Sequence, residues 1–282
     1  MPSVRSEIYD KDYFKPDLSW SRFLNARGKN WTINDSFILT LCNIRAGAKV
    51  LEIGCGRGGF IFTCARERSI LAVGIDYSAE AIRIGEELVR NFIDKEFLGL
   101  LYLIRAEAIR LPLRSNLFDI IYCCFLVEHL YPEELYMMLC ECWRLLKNGG
   151  RLIIETTPNL WRLKYGFSLT RFFYRIPIIA NLYKKLMDVS EISKQAKTDQ
   201  DACCHVNEQS ILSLKKALRR TGFKAYTWVG PERDKRFSFS SFQRHWGSMA
   251  WLIWLIYSLF YRTYPFKLIF GDTIFGIGKK II

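Results

Sequence analysis

A glycine-rich turn after a short apolar strand is the feature that most constrains what this chain can fold into. Residues 50–60 read VLEIGCGRGGF, which predicts a buried strand and then a sharp turn into a helix. Glycine suits this turn because a Cβ would occupy the space that an approaching ligand needs. The helix that follows would point its N-terminal N–H groups at the bound ligand. The stretch therefore predicts half of a nucleotide site.

An acidic residue at the end of the next predicted strand supplies the other half. Asp76 closes the run ILAVGID, where a carboxylate can accept two hydrogen bonds from ribose hydroxyls. Gly54, Gly56 and Gly59 also fit the GxGxxG pattern of dinucleotide folds, so the glycines alone do not identify the nucleotide. A turn without any ligand is the plainer alternative, and the position of Asp76 argues against it.

From residue 49 onward the sequence alternates short apolar strands with helical patterns. The predicted strands cover 49–53, 70–75, 101–105, 119–124 and 150–155, and the predicted helices cover 58–67, 79–91 and 132–146. Further on, Asn207 is the predicted cap of a helix that stops at Gly222, followed by strands near 223–229 and 273–280. This alternation is typical of parallel strand pairing, so we expect a doubly wound α/β fold.

Composition narrows the class of protein without choosing its partner. The net charge is +13, from 41 Lys and Arg against 28 Asp and Glu, which would attract nucleic acid, anionic lipid or anionic substrates. The nine cysteines form no CxxC pair and have no histidine at zinc-ligand spacing, which favours a reduced, cytoplasmic protein. The N-terminus, MPSVRSEIYDKDYF, has no apolar signal core, so we expect no export.

Several segments, taken in order, resemble the successive motifs of class I S-adenosylmethionine (SAM)-dependent methyltransferases. They are VLEIGCGRGGF, GIDYS, AEAIRLPLRSNLFDIIYCCFLVEHL and LLKNGGRLIIETTPN, with HVNEQSILSLKKALRRTGF similar to the family's last helix. The resemblance covers about residues 45–160 and points to the branch that acts on quinones, sugars and other small acceptors. It implies SAM as cofactor and a mostly parallel, seven-stranded Rossmann-like sheet in the order 3-2-1-4-5-7-6, with the last strand antiparallel.

The resemblance also implies a role for each residue of the cofactor site. The residues implied to cradle the amino-acid part of the cofactor are Glu52, Gly54, Cys55, Gly56 and Gly58. Asp76 would hold the ribose hydroxyls and Tyr77 would lie against the adenine. Glu107 stands where the family usually has an aspartate at the adenine amino group, Ala108 would offer its N–H, and Phe125 would line the sulfonium. The plainer alternatives are a solvated loop acid for Glu107 and a core side chain for Phe125.

Two histidines are the candidate catalytic residues. Methyl transfer needs a general base only if the acceptor is a hydroxyl that must lose its proton. His129 and His205 are both predicted near the carboxyl edge of the sheet, although a histidine at a helix start is often only structural. Glu128 could bind a metal or orient His129, but no second carboxylate at ligand spacing supports a metal site, so we expect none.

Two insertions depart from the family pattern. Residues 160–206 interleave aromatic and branched side chains with basic ones, namely Arg162, Lys164, Arg171, Arg175, Lys184 and Lys185. Residues 246–261 carry no charge and are bounded by Arg244 and Arg262. As a helix these residues would extend about 24 Å, short of the roughly 30 Å hydrocarbon core. The segment must also return to the same sheet, so we expect a helix lying in the membrane plane, with a buried cap helix as the alternative.

We therefore expect four parts: a helical cap (1–45), the SAM-binding core (46–159), a basic aromatic lid over the acceptor (160–206) and a C-terminal part of the core (207–282) with an apolar insertion (244–262). The expected function is O-methylation of a quinone precursor or lipid-linked glycan by a monotopic protein on the inner, anionic face of a membrane. One alternative is an RNA methyltransferase, although the sequence has no Asn/Asp-Pro-Pro-Tyr motif, and we expect no nucleic acid partner. The other is a SAM-binding subunit without catalysis.

Overall fold

The protein, described here by a computed structural model, is built around one seven-stranded sheet. The structure describes residues 4, 6–14, 35–68, 70–178, 180–181, 184, 197, 199–230 and 250–281. The strands are β1 (Lys49–Ile53), β2 (Leu71–Asp76), β3 (Leu101–Arg105), β4 (Phe118–Cys124), β5 (Leu146–Thr156), β6 (Lys224–Val229) and β7 (Ile274–Lys279). Parts of three predicted segments lie outside the described residues, namely residues 15–34 of the cap, residues 185–196 of the lid, with Lys185, and residues 244–249 of the apolar insertion.

The sheet has the order β3-β2-β1-β4-β5-β7-β6, which confirms the predicted fold. Strands β1 to β5 pair in parallel, whereas β7 pairs antiparallel with both β5 and β6. The central strands are nearly continuous apolar runs because helices cover both faces of a parallel sheet. Thr156, at the end of β5, lies opposite Ile274, at the start of β7. The segment that follows β5 and the segment that precedes β7 therefore meet the sheet at the same edge.

Nine α-helices lie within the described residues. They are α1 (Asp35–Cys42), α2 (Gly59–Arg68), α3 (Ala79–Phe92), α4 (Pro132–Leu145), α5 (Phe167–Phe173), α6 (Asp199–Cys204), α7 (Ile211–Arg220), α8 (Ala250–Arg262) and α9 (Phe266–Phe270). A π-helix, Arg162–Gly166, precedes α5, and short 3-10 helices cover Ser6–Ile8, Lys95–Leu100 and Val127–His129. One buried cluster joins the sheet to α4 and α7, and a second joins it to α1, α2 and α3.

The predicted cap of α7 is wrong. The helix begins after Ser210, whose side chain accepts a hydrogen bond from the Ser213 N–H (3.0 Å), while the Ser213 hydroxyl accepts one from the Ser210 N–H (2.8 Å). This reciprocal arrangement satisfies two N–H groups of the first turn. The N–H of Asn207 instead donates to the Glu128 carbonyl (3.1 Å), so this loop is tied to the 3-10 helix after β4.

Candidate active site

Most of the predicted site residues line one cavity at the carboxyl ends of β1, β2 and β4. Its volume is about 710 Å³, within the range of small-molecule sites. The predicted residues that line it are Gly54, Gly56, Asp76, Tyr77, Glu107, Ala108, Phe125 and His129. The predicted residues that do not line it are Glu52, Cys55, Gly58 and His205. The cavity also receives side chains from the N-terminal segment, including Tyr9 and Phe14.

The glycine turn has the conformation that its sequence predicts. Gly54, Gly56 and Gly58 have φ values of 72°, 50° and 78°, a region that other residues rarely adopt. The N–H groups of Gly54 and Cys55 both donate to the Ile75 carbonyl (2.8 and 2.9 Å). The turn is thereby fixed to the end of β2, beside the acidic residue that closes that strand.

The Asp76 carboxylate is held in place by backbone groups. It accepts a hydrogen bond from the Gly56 N–H (2.8 Å) on one oxygen and from the Ser78 N–H (2.9 Å) on the other. Burial raises the pKa of Asp76, and these two backbone hydrogen bonds oppose that rise. Carboxylate oxygens have lone pairs beyond these two contacts, so Asp76 can also accept from a ligand's hydroxyls.

Phe125 adopts a strained backbone conformation at the mouth of the site. Its φ is 50°, which is unusual for a bulky residue and is found where the surroundings enforce it, often at functional sites. Its N–H donates to the Glu155 carbonyl (2.9 Å), which joins it to β5. The side chain is 47% exposed, so Phe125 is not a core residue and the alternative considered for it from the sequence is wrong.

Buried carboxylates lie beneath the cavity. Glu52, Glu128 and Glu155 are 5%, 0% and 4% exposed. Glu128 accepts a hydrogen bond from the Thr156 hydroxyl (2.8 Å), and burial raises its pKa to about 8. Glu155 accepts one from the Tyr122 hydroxyl (3.0 Å). Glu155 was not predicted from the sequence, although it is the second-last residue of β5 as Glu52 is of β1, and that parallel was a usable signal.

Tyr9 is a second site residue that our sequence analysis missed. Its hydroxyl lies 2.9 Å from Nδ1 of His129, and its carbonyl accepts a hydrogen bond from the Ser78 hydroxyl (2.8 Å). Its ring lies 5.4 Å from that of Tyr77. Tyr9 therefore links the end of β2 to the 3-10 helix after β4. The aromatic N-terminus predicted a cover for the ligand, but nothing in the pattern singled out this residue.

The two candidate catalytic histidines lie together despite their distance in the sequence. The ring centres of His129 and His205 are 4.7 Å apart. The loop that carries His205 is held by two hydrogen bonds, from the Val206 and Asn207 N–H groups to the Glu128 carbonyl (2.9 and 3.1 Å). The pair is therefore positioned by backbone contacts between two separate segments.

The two insertions are joined to each other beside this edge of the sheet. We call the π-helix, α5, α8 and α9 the apolar extension. The Asn159 side chain donates to the carbonyls of Leu268 (2.8 Å) and Gly271 (2.9 Å), and Arg162 forms an ion pair with Asp272 (2.5 Å). Helix α9 packs against both α8 and the π-helix. Within the described ranges, every helix is too short or too polar to cross a membrane.

Comparison with known protein families identifies one domain in the chain. Residues 51–154 match the family described as a methyltransferase domain. This range runs from the first strand through β5, and it contains the glycine turn, Asp76 and His129. The apolar extension lies outside it.

Several curated relatives are quinone methyltransferases. The demethylmenaquinone methyltransferase of Staphylococcus carnosus is 25% identical over 163 residues, 56% of this chain and 64% of that protein. The ubiquinone/menaquinone biosynthesis C-methyltransferase of Teredinibacter turnerae is 31% identical over 122 residues, 42% of this chain and 46% of that protein. The ubiquinone biosynthesis O-methyltransferase of Pseudomonas entomophila is 28% identical over 112 residues, 39% of this chain and 45% of that protein. The chain thus spans between about half and two thirds of these relatives' lengths.

Solved structures show the same fold. Haemonchus contortus phosphoethanolamine N-methyltransferase 2, in complex with SAM, superposes with a TM-score of 0.60 at 15% identity, over 100% of this chain and 61% of that one. A SAM-dependent methyltransferase from Archaeoglobus fulgidus superposes with a TM-score of 0.53 at 21% identity, over 94% of this chain and 100% of that one. Residues 51–154 thus match a methyltransferase domain, and the strand order is that of SAM-dependent methyltransferases, which together indicate a SAM-dependent methyltransferase.

Proposed function

We propose that the protein transfers a methyl group from SAM to a hydroxyl of a hydrophobic acceptor, a quinone precursor or a lipid-linked glycan, at a membrane surface. The observation that carries this proposal is the layout of the cavity. The glycine turn, Asp76 and Tyr77, which we call the cofactor side, line it together with His129, and the ring centre of His205 lies 4.7 Å from that of His129.

The cavity fits the cofactor. When bound, SAM would supply a methyl group on a cationic sulfur. An oxygen nucleophile can attack the methyl carbon in line with the carbon–sulfur bond and displace the sulfur. On the cofactor side of the cavity the chain offers backbone N–H groups, the Asp76 carboxylate and the Tyr77 ring. We propose that Asp76 holds the ribose hydroxyls, that Glu107 and Ala108 contact the adenine, and that Phe125 lines the sulfonium. Glu52, Cys55 and Gly58 would act from beneath the turn, since they do not line the cavity.

The histidine pair supports oxygen as the methylated atom. A hydroxyl acceptor must lose its proton, whereas the chain can do little more for other acceptors than position them and exclude water. His129 lines the cavity, and the ring of His205 lies against the ring of His129. We propose that this pair handles the acceptor's proton. Relatives in quinone biosynthesis include both C- and O-methyltransferases, and the pair is the reason for choosing oxygen.

The apolar extension supports a hydrophobic acceptor that is collected from a bilayer. On α8, Trp251, Leu252, Leu255 and Leu259 are between 45% and 61% exposed. On and after α5, Phe172 and Ile178 are 60% and 80% exposed. Exposed apolar side chains this numerous on joined helices are a mark of an interaction site. We propose that this surface lies in the headgroup region of a membrane.

Charge favours an anionic bilayer as the partner. Basic residues that are exposed around these apolar side chains are Lys164, Arg171, Arg175 and Arg262. The Arg262 guanidinium lies 5.5 Å from the centre of the Trp254 ring. Arginine beside tryptophan is suited to a membrane interface, where the ring and the aliphatic stem are buried and the charge faces the headgroups.

Methyl transfer from labelled SAM would test the reaction. The acceptors would be a hydroxylated quinol ring with an isoprenoid tail, the same ring without a tail, and a lipid-linked glycan, each with anionic vesicles. We expect label on a hydroxyl oxygen of a tailed acceptor, identified by mass spectrometry, and far less on the tail-less ring. Label on carbon, or equal transfer to the tail-less ring, would contradict the proposal. The Asp76→Ala variant controls for transfer that does not depend on the cofactor site.

Vesicle cosedimentation would test the membrane surface separately. Serine at positions 251, 252, 255 and 259 should abolish most binding to anionic vesicles, because each change removes an exposed apolar side chain. The matched control places serine at Leu98, Tyr102 and Leu212, which are exposed to a similar degree elsewhere. A protein that ignores vesicles, or a quadruple variant that unfolds in a thermal melt, would show that α8 is a buried cap helix in the protein's working state.

A further inference from the structure

We infer that Glu128, His129 and His205 form a binding site for a divalent transition-metal ion. One ligand atom from each of the three side chains lies within 4.8 Å of the other two. The sequence contains three histidines in all, and two of them converge on the same buried carboxylate. Our sequence analysis looked for a second carboxylate and expected no metal, whereas the structure supplies a second imidazole.

The spacing of the two imidazoles fits shared coordination. A ring nitrogen bound to zinc lies about 2.1 Å from the ion, so two imidazoles on one ion have ring centres roughly 4.6 to 5.3 Å apart for bond angles at the ion between about 90° and 109°. The observed separation of the ring centres is 4.7 Å. Small side-chain rotations would bring the three ligand atoms to the closer spacing that an ion requires.

The surroundings hold the ligands in the way that metal sites commonly do. The Thr156 hydroxyl donates to one oxygen of Glu128 (2.8 Å), which orients that carboxylate. Tyr9 Oη lies 2.9 Å from Nδ1 of His129, so it occupies the position from which an oxygen usually orients a histidine that binds metal through Nε2. The His205 loop is tied to Glu128 by two backbone hydrogen bonds. Each ligand therefore has a supporting contact of its own.

The donor set identifies the class of ion. Two imidazoles and one carboxylate suit zinc, iron and similar first-row ions, whereas magnesium and calcium prefer oxygen ligands throughout. Three protein ligands leave a coordination position open. His129 lines the cavity, so an acceptor hydroxyl could take that position.

This role in the reaction rests on the proposed function, although the metal site itself does not. An ion lowers the pKa of a hydroxyl that binds to it. The hydroxyl proton would then leave to solvent, the oxygen would form the new bond to the methyl carbon, and the cofactor sulfur would depart as a neutral thioether. The histidine pair would therefore promote loss of the hydroxyl proton by holding the ion that lowers the pKa of the hydroxyl.

Calorimetric titration with Zn²⁺ alone, without SAM or acceptor, would test the site. We expect one zinc per chain and at least a hundredfold weaker binding of Mg²⁺. The His205→Ala, His129→Ala and Glu128→Gln variants should each weaken zinc binding by about a hundredfold or more. Thr156→Val should weaken it by about tenfold, through the orientation of Glu128. The control is Cys203→Ser, which removes an exposed thiol close to His205 and should leave zinc affinity unchanged.

Two outcomes would overturn the metal site. One is a wild-type protein that takes up no stoichiometric zinc, and the other is a His205→Ala variant that retains wild-type affinity. Each variant must keep the wild-type circular dichroism spectrum and SAM affinity, and His205→Gln would replace His205→Ala if the latter unfolds. Asp76→Ala should lose SAM affinity and keep zinc affinity, so failure of the metal site and failure of the methyltransferase proposal can be told apart.

Discussion

The cofactor side of the cavity and the apolar extension are built by different means. On the cofactor side, backbone groups hold the key residues: three glycines have positive φ, and the Asp76 carboxylate accepts from two N–H groups. In the apolar extension the notable groups are exposed side chains such as Trp251 and Phe172. The family match covers the first region and ends before the second.

This difference indicates which part of the chain can select the acceptor. A backbone-built site tolerates few changes, because its geometry depends on conformations that only certain residues adopt. An exposed apolar surface can change residue by residue with little effect on the core. The shared region can therefore carry the chemistry common to the family, while the apolar extension can select the acceptor and the place where it is met.

The largest effect is expected on turnover, when either histidine of the pair is replaced, and it should leave the cofactor side intact. His129→Ala or His205→Ala should lower turnover by roughly 10²- to 10⁴-fold, the usual contribution of a group that handles a proton. SAM affinity should stay nearly unchanged, because the change acts on the acceptor. Single-turnover kinetics with calorimetry would measure both quantities. Unchanged turnover in both variants would remove the pair from the mechanism.

Asp76→Ala should have the next largest effect, and on the cofactor side alone. The loss of a charged acceptor of two hydrogen bonds should weaken SAM binding by about 2 kcal/mol, or roughly 30-fold. Vesicle binding should not change. The control is Asp94→Ala, because the Asp94 side chain makes no capping hydrogen bond at the short helix that it precedes. Calorimetry that finds NAD bound by the wild type in place of SAM would contradict the assignment.

The same difference explains what could be predicted from the sequence. The glycine turn, Asp76 and the strand order follow from local patterns and from the resemblance to a family. Both histidines were predicted at the carboxyl edge, but their approach depends on how the chain returns to Glu128 after the insertion, which no local pattern encodes. Tyr9 contributes through distant contacts for the same reason, whereas Glu155 could have been found from its position in β5, which matches that of Glu52 in β1. The Asn207 cap failed because Ser210 and Ser213 supply a reciprocal cap, while a distant carbonyl engages the Asn207 backbone.

Loss of one basic residue should have a smaller effect, and it would show whether positive charge on the apolar extension contributes to membrane binding. Arg171→Gln should weaken binding to anionic vesicles by about fivefold, since a basic residue near the surface contributes about 1 kcal/mol. Binding to neutral vesicles should be unaffected, and added salt should narrow the difference. Lys216→Gln on α7, also exposed, provides the matched loss of charge. An equal effect of both changes would show that net charge, rather than this surface, attracts the protein.

Tyr9→Phe should also have a small effect and would test whether the cofactor side and the histidine pair are coupled. Tyr9 contacts Ser78 through its backbone carbonyl, and its hydroxyl contacts both His129 and Tyr77. The substitution removes only the contacts of the hydroxyl. A net contribution of about 0.5 to 1.5 kcal/mol for one hydrogen bond predicts a two- to tenfold loss of turnover. SAM affinity should be preserved, because the contact between the Ser78 hydroxyl and the Tyr9 carbonyl remains. Tyr102→Phe, on the exposed edge strand β3, is the control and should match the wild type. If Tyr9→Phe instead weakens SAM binding and leaves turnover at saturation unchanged, the Tyr9 hydroxyl serves the cofactor side, and the separation between the cofactor side and the histidine pair is less complete than the contacts indicate.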